Sequence, residues 1–472
     1  MDCCKSPQYD FDFAIIGSGS AAFAAAIKAT ELGKSIIMIE KGTIGGTCVN
    51  FGCVPSKTLI RAAEAKFKAE QIHFEGLSSA KIKVDFKKLV EEKDQLVESL
   101  QIGKYQSVLD KNPNIKLISG EAKFSDQHHL NVGDQIISVQ KILISTGSES
   151  VIPPIAGIEN VPYLTSKTAF ELQELPETLA VIGGGYIALE IAQMFSRLGT
   201  KVTIVQRSEI LFQEDDDASA WMTNYLRTEG IEILNHTSVK EINKSGDNVL
   251  VNLFKDEESF SKSFSKILIA TGRKPNTKNL CLELARVKTN TDGSIMVNEF
   301  GQTNIENIYA AGDVLATPAL VYVAAYEGNL AAENAFTGNS RASNYDVVPW
   351  VIFSDPQIAG IGLNESQAKA KGIEYDISLL ELSNVPRAIA ARDTRGFIKL
   401  LRQTGTDRLI GARIIAPEGA ELLMELSLMI RYQLPISEIA KELHPYLTLS
   451  EAVKLAAQTF DKDVKSLSCC AV

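Results

Sequence analysis

The chain carries the same 30-residue unit twice. FAIIGSGSAAFAAAIKATELGKSIIMIEKG (13–42) and LAVIGGGYIALEIAQMFSRLGTKVTIVQRS (179–208) align without a gap at an offset of 166. Each reads as a short apolar strand, a glycine-rich turn, an amphipathic helix, Leu-Gly and a second apolar strand. Both strands are apolar enough for a buried parallel sheet, so each unit has the pattern of a dinucleotide-binding half. Two units imply two nucleotides. The stretches that follow them also echo each other: ISTGS at 144–148 contains Gly147, and IATGRKPNT at 269–277 contains Gly272. NIYAAGDV (307–314) and a region of mixed strands and helices complete the chain. The expectation is an α/β protein with two Rossmann-like dinucleotide-binding domains and an α+β C-terminal domain. Its parts would be 1–150, 151–277, 278–345 and 346–472. At ~150 residues per domain, a chain of 472 residues accommodates them.

In the first unit Gly17, Gly19 and Ala22 fill G-x-G-x-x-(G/A). The first position needs a tight turn, the second lets backbone approach a pyrophosphate, and the third allows close helix–strand packing. Glu40 closes the second strand 23 residues after Gly17, where a carboxylate accepts hydrogen bonds from a ribose diol. In the second unit Gly183, Gly185 and Ala188 stand in the same places. The position of Glu40 is taken there by Gln206, followed by Arg207. The acid that would repel a 2′-phosphate is missing and a cation stands beside its place, which favours NADP(H) over NAD(H). The plainer alternative makes Arg207 a solvated charge at a strand end.

Composition excludes several classes. Apolar residues make up 45% and charged residues 22%, an ordinary globular balance, and the formal net charge is −10 with no long single-sign block. A duplex nucleic acid or an acidic membrane surface is not an expected partner. No basic segment leads into an apolar stretch near the start, and no run approaches the ~20 apolar residues of a membrane span, so a cytoplasmic protein is expected. Six of the seven cysteines come in close pairs: Cys3 with Cys4, Cys48 with Cys53, and Cys469 with Cys470. In a reducing compartment such pairs point to redox chemistry or soft-metal binding rather than to a disulfide scaffold. Cys281 stands alone and reads as an ordinary cysteine.

The segment GGTCVNFGCVPSK (45–57) sets Cys48 and Cys53 with four residues between them shortly after the first unit. Pro55 is tolerated in a first helical turn, which would put Cys53 near a helix N-terminus, where a thiol pKa falls. Two buried structural cysteines are the plainer reading. With these motifs the chain, from about residue 10 to its C-terminus, resembles the pyridine nucleotide-disulfide oxidoreductases. That family includes lipoamide dehydrogenase, glutathione reductase, thioredoxin reductase and mercuric reductase. The resemblance implies FAD and NAD(P)H as cofactors, an FAD domain, an NAD(P)H domain, a central domain and an interface domain. It also implies a homodimer with shared active sites. By motif, Gly17, Gly19 and Glu40 would hold FAD, with Asp313 near its ribityl–phosphate portion. Cys53 would be the thiol nearest the flavin and Cys48 the interchange thiol. Lys57 and Glu190 match an ion pair beside the flavin, and Tyr186 matches a tyrosine covering the nicotinamide pocket.

Disulfide reductases of this family end in a motif resembling H-P-T-x-x-E, whose His protonates a departing thiolate. Here the segment is HPYLTLSEA (444–452): Tyr446 lies five residues before Glu451, and His444 lies seven before it. A phenol with a pKa of about 10 is a poor proton shuttle at neutral pH, whereas an imidazole at about 6.5 is a good one. His444 is therefore read as a histidine of no catalytic consequence. PYLTLSEAVKLAAQTF and the terminal Cys469-Cys470 look like the mercuric reductase branch of the family. Hg(II) prefers thiolate ligands. The tail pair would take it from cellular thiols and pass it to Cys48 and Cys53 of the partner subunit, with the Tyr186 and Tyr446 hydroxyls steering the metal. Cys3 and Cys4 are a further candidate capture pair. The rival readings are a disulfide reductase acting on lipoamide or thioredoxin, and a flavoprotein that binds soft metals without turnover.

Overall fold

The computed structural model describes residues 9–464. The two repeats fold alike down to their register. In the first, Phe11–Ile16 pairs in parallel with Ile36–Glu40, setting Phe13 opposite Ile36. In the second, Thr178–Ile182 pairs in parallel with Lys201–Val205, setting Leu179 opposite Val202, the same partners shifted by the offset of the repeat. Strands rich in Ile and Val suit a sheet covered on both faces, and Phe13, Ile15, Leu179 and Val181 are all fully buried.

Each parallel sheet is extended by one strand on either side. The first runs Ile115–Ser119, Ile36–Glu40, Phe11–Ile16 and Gln135–Ile144, and the last of these continues into an antiparallel pair and also accepts Ile308–Ala310. The return of 308–310 to the first sheet, across the whole second unit, places Asp313 at the end of the strands that carry the first glycine turn. The second sheet runs Glu232–Leu234, Lys201–Val205, Thr178–Ile182 and Lys266–Ile269. A three-stranded antiparallel sheet covers it, and the two-stranded pairing of Ser148–Ser150 with Arg273–Pro275 bridges the units.

The C-terminal part is a five-stranded antiparallel sheet in the order Trp350–Ile352, Gln357–Gly362, Leu409–Ala416, Phe397–Gln403, Tyr375–Glu381. Alternation divides its faces. Ile398, Leu400, Ala412 and Ile414 pack with the helices Leu423–Tyr432 and Leu449–Gln458, while Phe397 and Ile415 join the core of the second unit. A buried ion pair crosses the same boundary: Arg197, bonded to Glu229 at 2.7 Å within the second unit, also bonds Asp355 at 2.9 Å. The α/β class with two dinucleotide-binding units and a separate α+β unit is the one read from the sequence. Among the described residues no helix is long and apolar enough to cross a membrane.

Candidate active site

The two glycine turns are built identically. Gly17 N–H donates to Ile39 O at 2.8 Å and Gly183 N–H to Val205 O at 2.9 Å. Gly17 has φ +114°, and a Cβ on it would meet Ser145 O at 2.5 Å; Gly183 has φ +124°, and a Cβ there would meet Ala270 O at 2.2 Å. Only glycine serves at either point. Gly19 and Gly185 occupy the N-cap positions of the helices that follow, with no side-chain cap, so the first N–H groups stay available to an anion. Ala22 and Ala188 are fully buried against the sheets. A Cβ on Gly46 would come 2.6 Å from the Gly19 Cα, so the thiol-bearing segment lies against the first turn through backbone alone. This cradle fits the pyrophosphate of a dinucleotide.

The strand ends differ as their sequences do. Glu40 accepts from Ser18 Oγ at 2.7 Å and from Gly42 N–H at 2.6 Å, so its carboxylate is held over the turn. Gln206 instead donates to Ser208 Oγ at 2.9 Å. Arg207 is exposed and has no ion-pair partner among the described residues. Gly147 and Gly272 both have positive φ and sit at the two ends of the bridging strand pair. Asp313 accepts from Ser148 Oγ at 2.9 Å, and Arg273 Nε donates to the same hydroxyl at 2.8 Å. Ser148 and Arg273 are site neighbours that the motifs alone did not single out, because their partners come from distant segments.

Cys48 lies in the short helix Gly46–Asn50, and Cys53 is the first residue of the helix Cys53–Glu70 with Pro55 in its first turn. Both thiols are free and half-buried. Cys48 donates to Cys53, and that hydrogen bond is the largest influence lowering the Cys53 thiol, with Lys57 adding to it against the cost of burial; Cys53 is lowered to about 7. The same shared proton drives the Cys48 thiol up. Cys53 is thus the thiol of the pair that ionises first, with Cys48 as the donor to it. Lys57 Nζ bonds Glu190 Oε2 at 2.7 Å and lies 4.7 Å above the Phe353 ring, while Phe353 N–H donates to Glu190 Oε1 at 2.9 Å. Phe353 was not visible as a site residue, since nothing in its local sequence marks it.

Tyr186 opens the helix Tyr186–Leu198 and remains 46% exposed, so its ring stands at the rim of the site rather than in the core. Tyr446 is also half-exposed, in the loop before the helix Leu449–Gln458. That loop is pinned by Leu447 N–H donating to Glu451 Oε2 at 3.1 Å and by Glu451 N–H donating to Thr448 Oγ1 at 3.2 Å. His444 Nε2 bonds Glu425 Oε1 at 3.0 Å with its side chain nearly buried, a satisfied histidine. Cys281 is half-buried in a turn. Cys3, Cys4, Cys469 and Cys470 lie outside the described residues.

Residues 11–328 match the family described as pyridine nucleotide-disulphide oxidoreductase, and residues 348–457 match the dimerisation domain of that family. The chain is 43% identical over 465 residues to a mercuric reductase of Lysinibacillus sphaericus, covering 98% of this chain and 85% of that protein. It is 44% identical over 463 residues to a mercuric reductase of Staphylococcus aureus, covering 98% and 84%. With a mercuric reductase of Streptomyces lividans it shares 43% over 467 residues, 98% of either chain. Among solved structures it is similar to the Cu(II) complex of the HOCl-induced flavoprotein disulfide reductase RclA from Escherichia coli, with TM-score 0.84, 30% identity, and coverage of 94% of this chain and 98% of that one. With the family model and its dimerisation domain matching 11–328 and 348–457, and mercuric reductases 43–44% identical along almost the whole chain, the chain belongs to the pyridine nucleotide-disulphide oxidoreductase family, whose members use FAD and NAD(P)H.

Proposed function

We propose that the protein is an NADPH-dependent flavoenzyme that reduces Hg(II) to volatile Hg(0). The observation that carries this reading is similarity along almost the whole chain to several mercuric reductases, at 43–44% identity. The thiol site supports it. Cys53, held as a thiolate by Cys48 and Lys57, offers the first soft ligand, and Cys48 supplies the second once it gives up its proton. Flavin supplies the two-electron relay between NADPH and this pair. Hg(II) held by two thiolates takes up two electrons and leaves as Hg(0), and both sulfurs remain as thiolates. No leaving thiolate needs a proton, so Tyr446 in place of a histidine, and His444 tied to Glu425, are compatible with turnover.

In this reading residues 1–150 hold FAD through Gly17, Gly19, Ala22, Glu40, Lys57 and Gly147. Residues 151–277 hold NADPH through Gly183, Gly185, Ala188, Gln206, Arg207 and Gly272. Residues 278–345 complete the FAD site with Asp313, and 346–472 form the interface of a homodimer. The dimerisation-domain match and the exposed apolar side chains of Met424, Leu428, Tyr432 and Leu443 on that part support the last assignment. Cys469 and Cys470 capture Hg(II) from thiol complexes and pass it to the partner's inner pair, between the Tyr186 and Tyr446 hydroxyls. A cytoplasm, which keeps thiols reduced, suits this chemistry.

The test is NADPH oxidation by the purified holoenzyme with Hg(II) in excess thiol, with mercury vapour measured in the headspace. Oxidised lipoamide, glutathione and thioredoxin run in parallel. Mercury-dependent oxidation with vapour, and little oxidation with the disulfides, is the expected result. Rapid turnover of a disulfide together with inhibition by Hg(II) would replace the reading with a disulfide reductase.

A further inference from the structure

Two cations stand side by side on the face of the C-terminal sheet that meets the second nucleotide unit. Lys399 on Phe397–Gln403 and Arg413 on Leu409–Ala416 are direct cross-strand partners, and both are almost completely buried. Like charges in that register repel, and burying them without counter-charges is costly. Three counter-charges come from one short segment of the second unit, and a fourth, Glu365, from the C-terminal part itself. Lys399 Nζ lies 2.7 Å from Asp215 Oδ2 and 2.8 Å from Asp217 Oδ2, with Glu365 Oε1 at 3.0 Å. Arg413 Nε lies 2.6 Å from Glu214 Oε2. The neighbouring backbone is fastened too: Asn364 Nδ2 donates to Gln213 O at 3.2 Å, and Glu365 N–H donates to Asp215 Oδ1 at 3.1 Å.

The fastened segment is the downstream end of the stretch that begins at Gln206 and carries exposed Arg207. Its upstream end is held by Gln206 N–H donating to Leu234 O at 3.0 Å. Its middle is tied to the second glycine turn, with Leu211 N–H donating to Gly184 O at 2.9 Å, and Ser219 Oγ donates to Ile210 O at 2.7 Å. The stretch from 206 to 217 is thus tied at its start to 234–237, where Thr237 N–H donates to Gln206 O at 2.9 Å and His236 N–H to Ser208 O at 3.4 Å, in its middle to the nucleotide turn and at its far end to the C-terminal sheet, with the Arg207 side chain exposed. We propose that Lys399 and Arg413 are positioning residues for NADPH: they anchor this stretch so that Arg207 and Ser208 meet the 2′-phosphate, and they touch no substrate themselves. The proposal rests on the reading that the end of the second unit's strand takes a 2′-phosphate.

The test reads reduction of bound flavin by NADPH or NADH in stopped flow, with no second substrate, so it is independent of the mercury reading. Lys399→Met is expected to weaken NADPH binding about tenfold or more, the scale of a misplaced binding group, while the limiting reduction rate and NADH binding change little. Lys399→Arg is expected to restore NADPH binding. Because Lys399→Met leaves carboxylates unpaired and threatens folding, the charge-free pair Arg413→Met/Glu214→Met is measured beside it. Equal weakening of NADPH and NADH, or no change in either, overturns the proposal. Arg207→Ala separates the two layers. If it leaves the NADPH/NADH ratio unchanged, the 2′-phosphate reading falls and the proposal with it. If it lowers the ratio while the Lys399 and Arg413 variants do not, the anchoring role alone is overturned.

Discussion

Lys57 and Glu190 join the two nucleotide units at the thiol site by a 2.7 Å ion pair. Lys57 lies one helical turn after Cys53, and Glu190 lies one turn after Tyr186. The pair therefore sets the N-termini of both helices, and with them the thiolate and the tyrosine, at one place. Lys57 lowers the Cys53 thiol while Glu190 raises it. Lys57→Met should move the Cys53 thiol above about 7, and Glu190→Gln should move it below. The thiolate is the form present above the pKa, so at neutral pH the first change diminishes ultraviolet thiolate absorbance and the second enlarges it. A pH titration of the reduced protein reads both, and shifts of the same sign would contradict the assignment.

The hydrogen bond from Cys48 is the largest influence on Cys53. Cys48→Ala should therefore raise the Cys53 thiol by more than Lys57→Met does. Cys48→Ala and Cys53→Ala should each abolish Hg(II) reduction, while reduction of flavin by NADPH survives. Turnover of Hg(II) by either variant would show that the inner pair is dispensable.

Gly17→Ala and Gly183→Ala press a Cβ into the carbonyls of Ser145 and Ala270. The strain at a positive φ costs about 1–3 kcal/mol before any clash is counted. Gly17→Ala should be purified with little flavin. Gly183→Ala should keep its flavin and lose affinity for NADPH. Flavin content and NADP⁺ binding distinguish the two, and the same defect in both would mean that the turns do not serve separate nucleotides.

Arg207→Glu restores a carboxylate near the place that Glu40 occupies in the first unit. A hydrogen bond to a charged group contributes about 1.5–3 kcal/mol, so the NADPH/NADH preference should fall by roughly ten- to a hundredfold. Steady-state kinetics with each cofactor give the ratio.

Replacing Cys469 and Cys470 by Ser should impair reduction most when Hg(II) is presented as a bulky thiol complex. A small complex reaches the inner pair directly. Equal impairment with small and bulky ligands would count against a hand-off.

The repeat was legible because its signals are local. Backbone sterics demand glycine at 17 and 183, and apolar strands either side of an amphipathic helix leave little choice of pairing, so even the matched register of Phe13 with Ile36 and Leu179 with Val202 follows the alignment. The placement of Cys53 at a helix N-terminus was likewise readable from Pro55. His444 was read as non-catalytic from its spacing to Glu451, and the structure places its Nε2 3.0 Å from Glu425 Oε1.

Other parts of the site had no local signal. Phe353 touches Glu190 across 163 residues, and Arg273 reaches Ser148 across 125. The contact between Lys399 and Asp215 spans 184 residues, joining a strand that reads as ordinary sheet to a run of acids that reads as solvated surface. By itself the sequence determined the two glycine turns, the helices that follow them and the spacing of the thiols, because short-range sterics and hydrophobic periodicity act between neighbours. Tertiary structure alone decided which charges meet across distant segments and how Lys57 and Glu190 act together on the Cys53 thiol, because Coulomb interactions and desolvation depend on distances that only the packed chain defines.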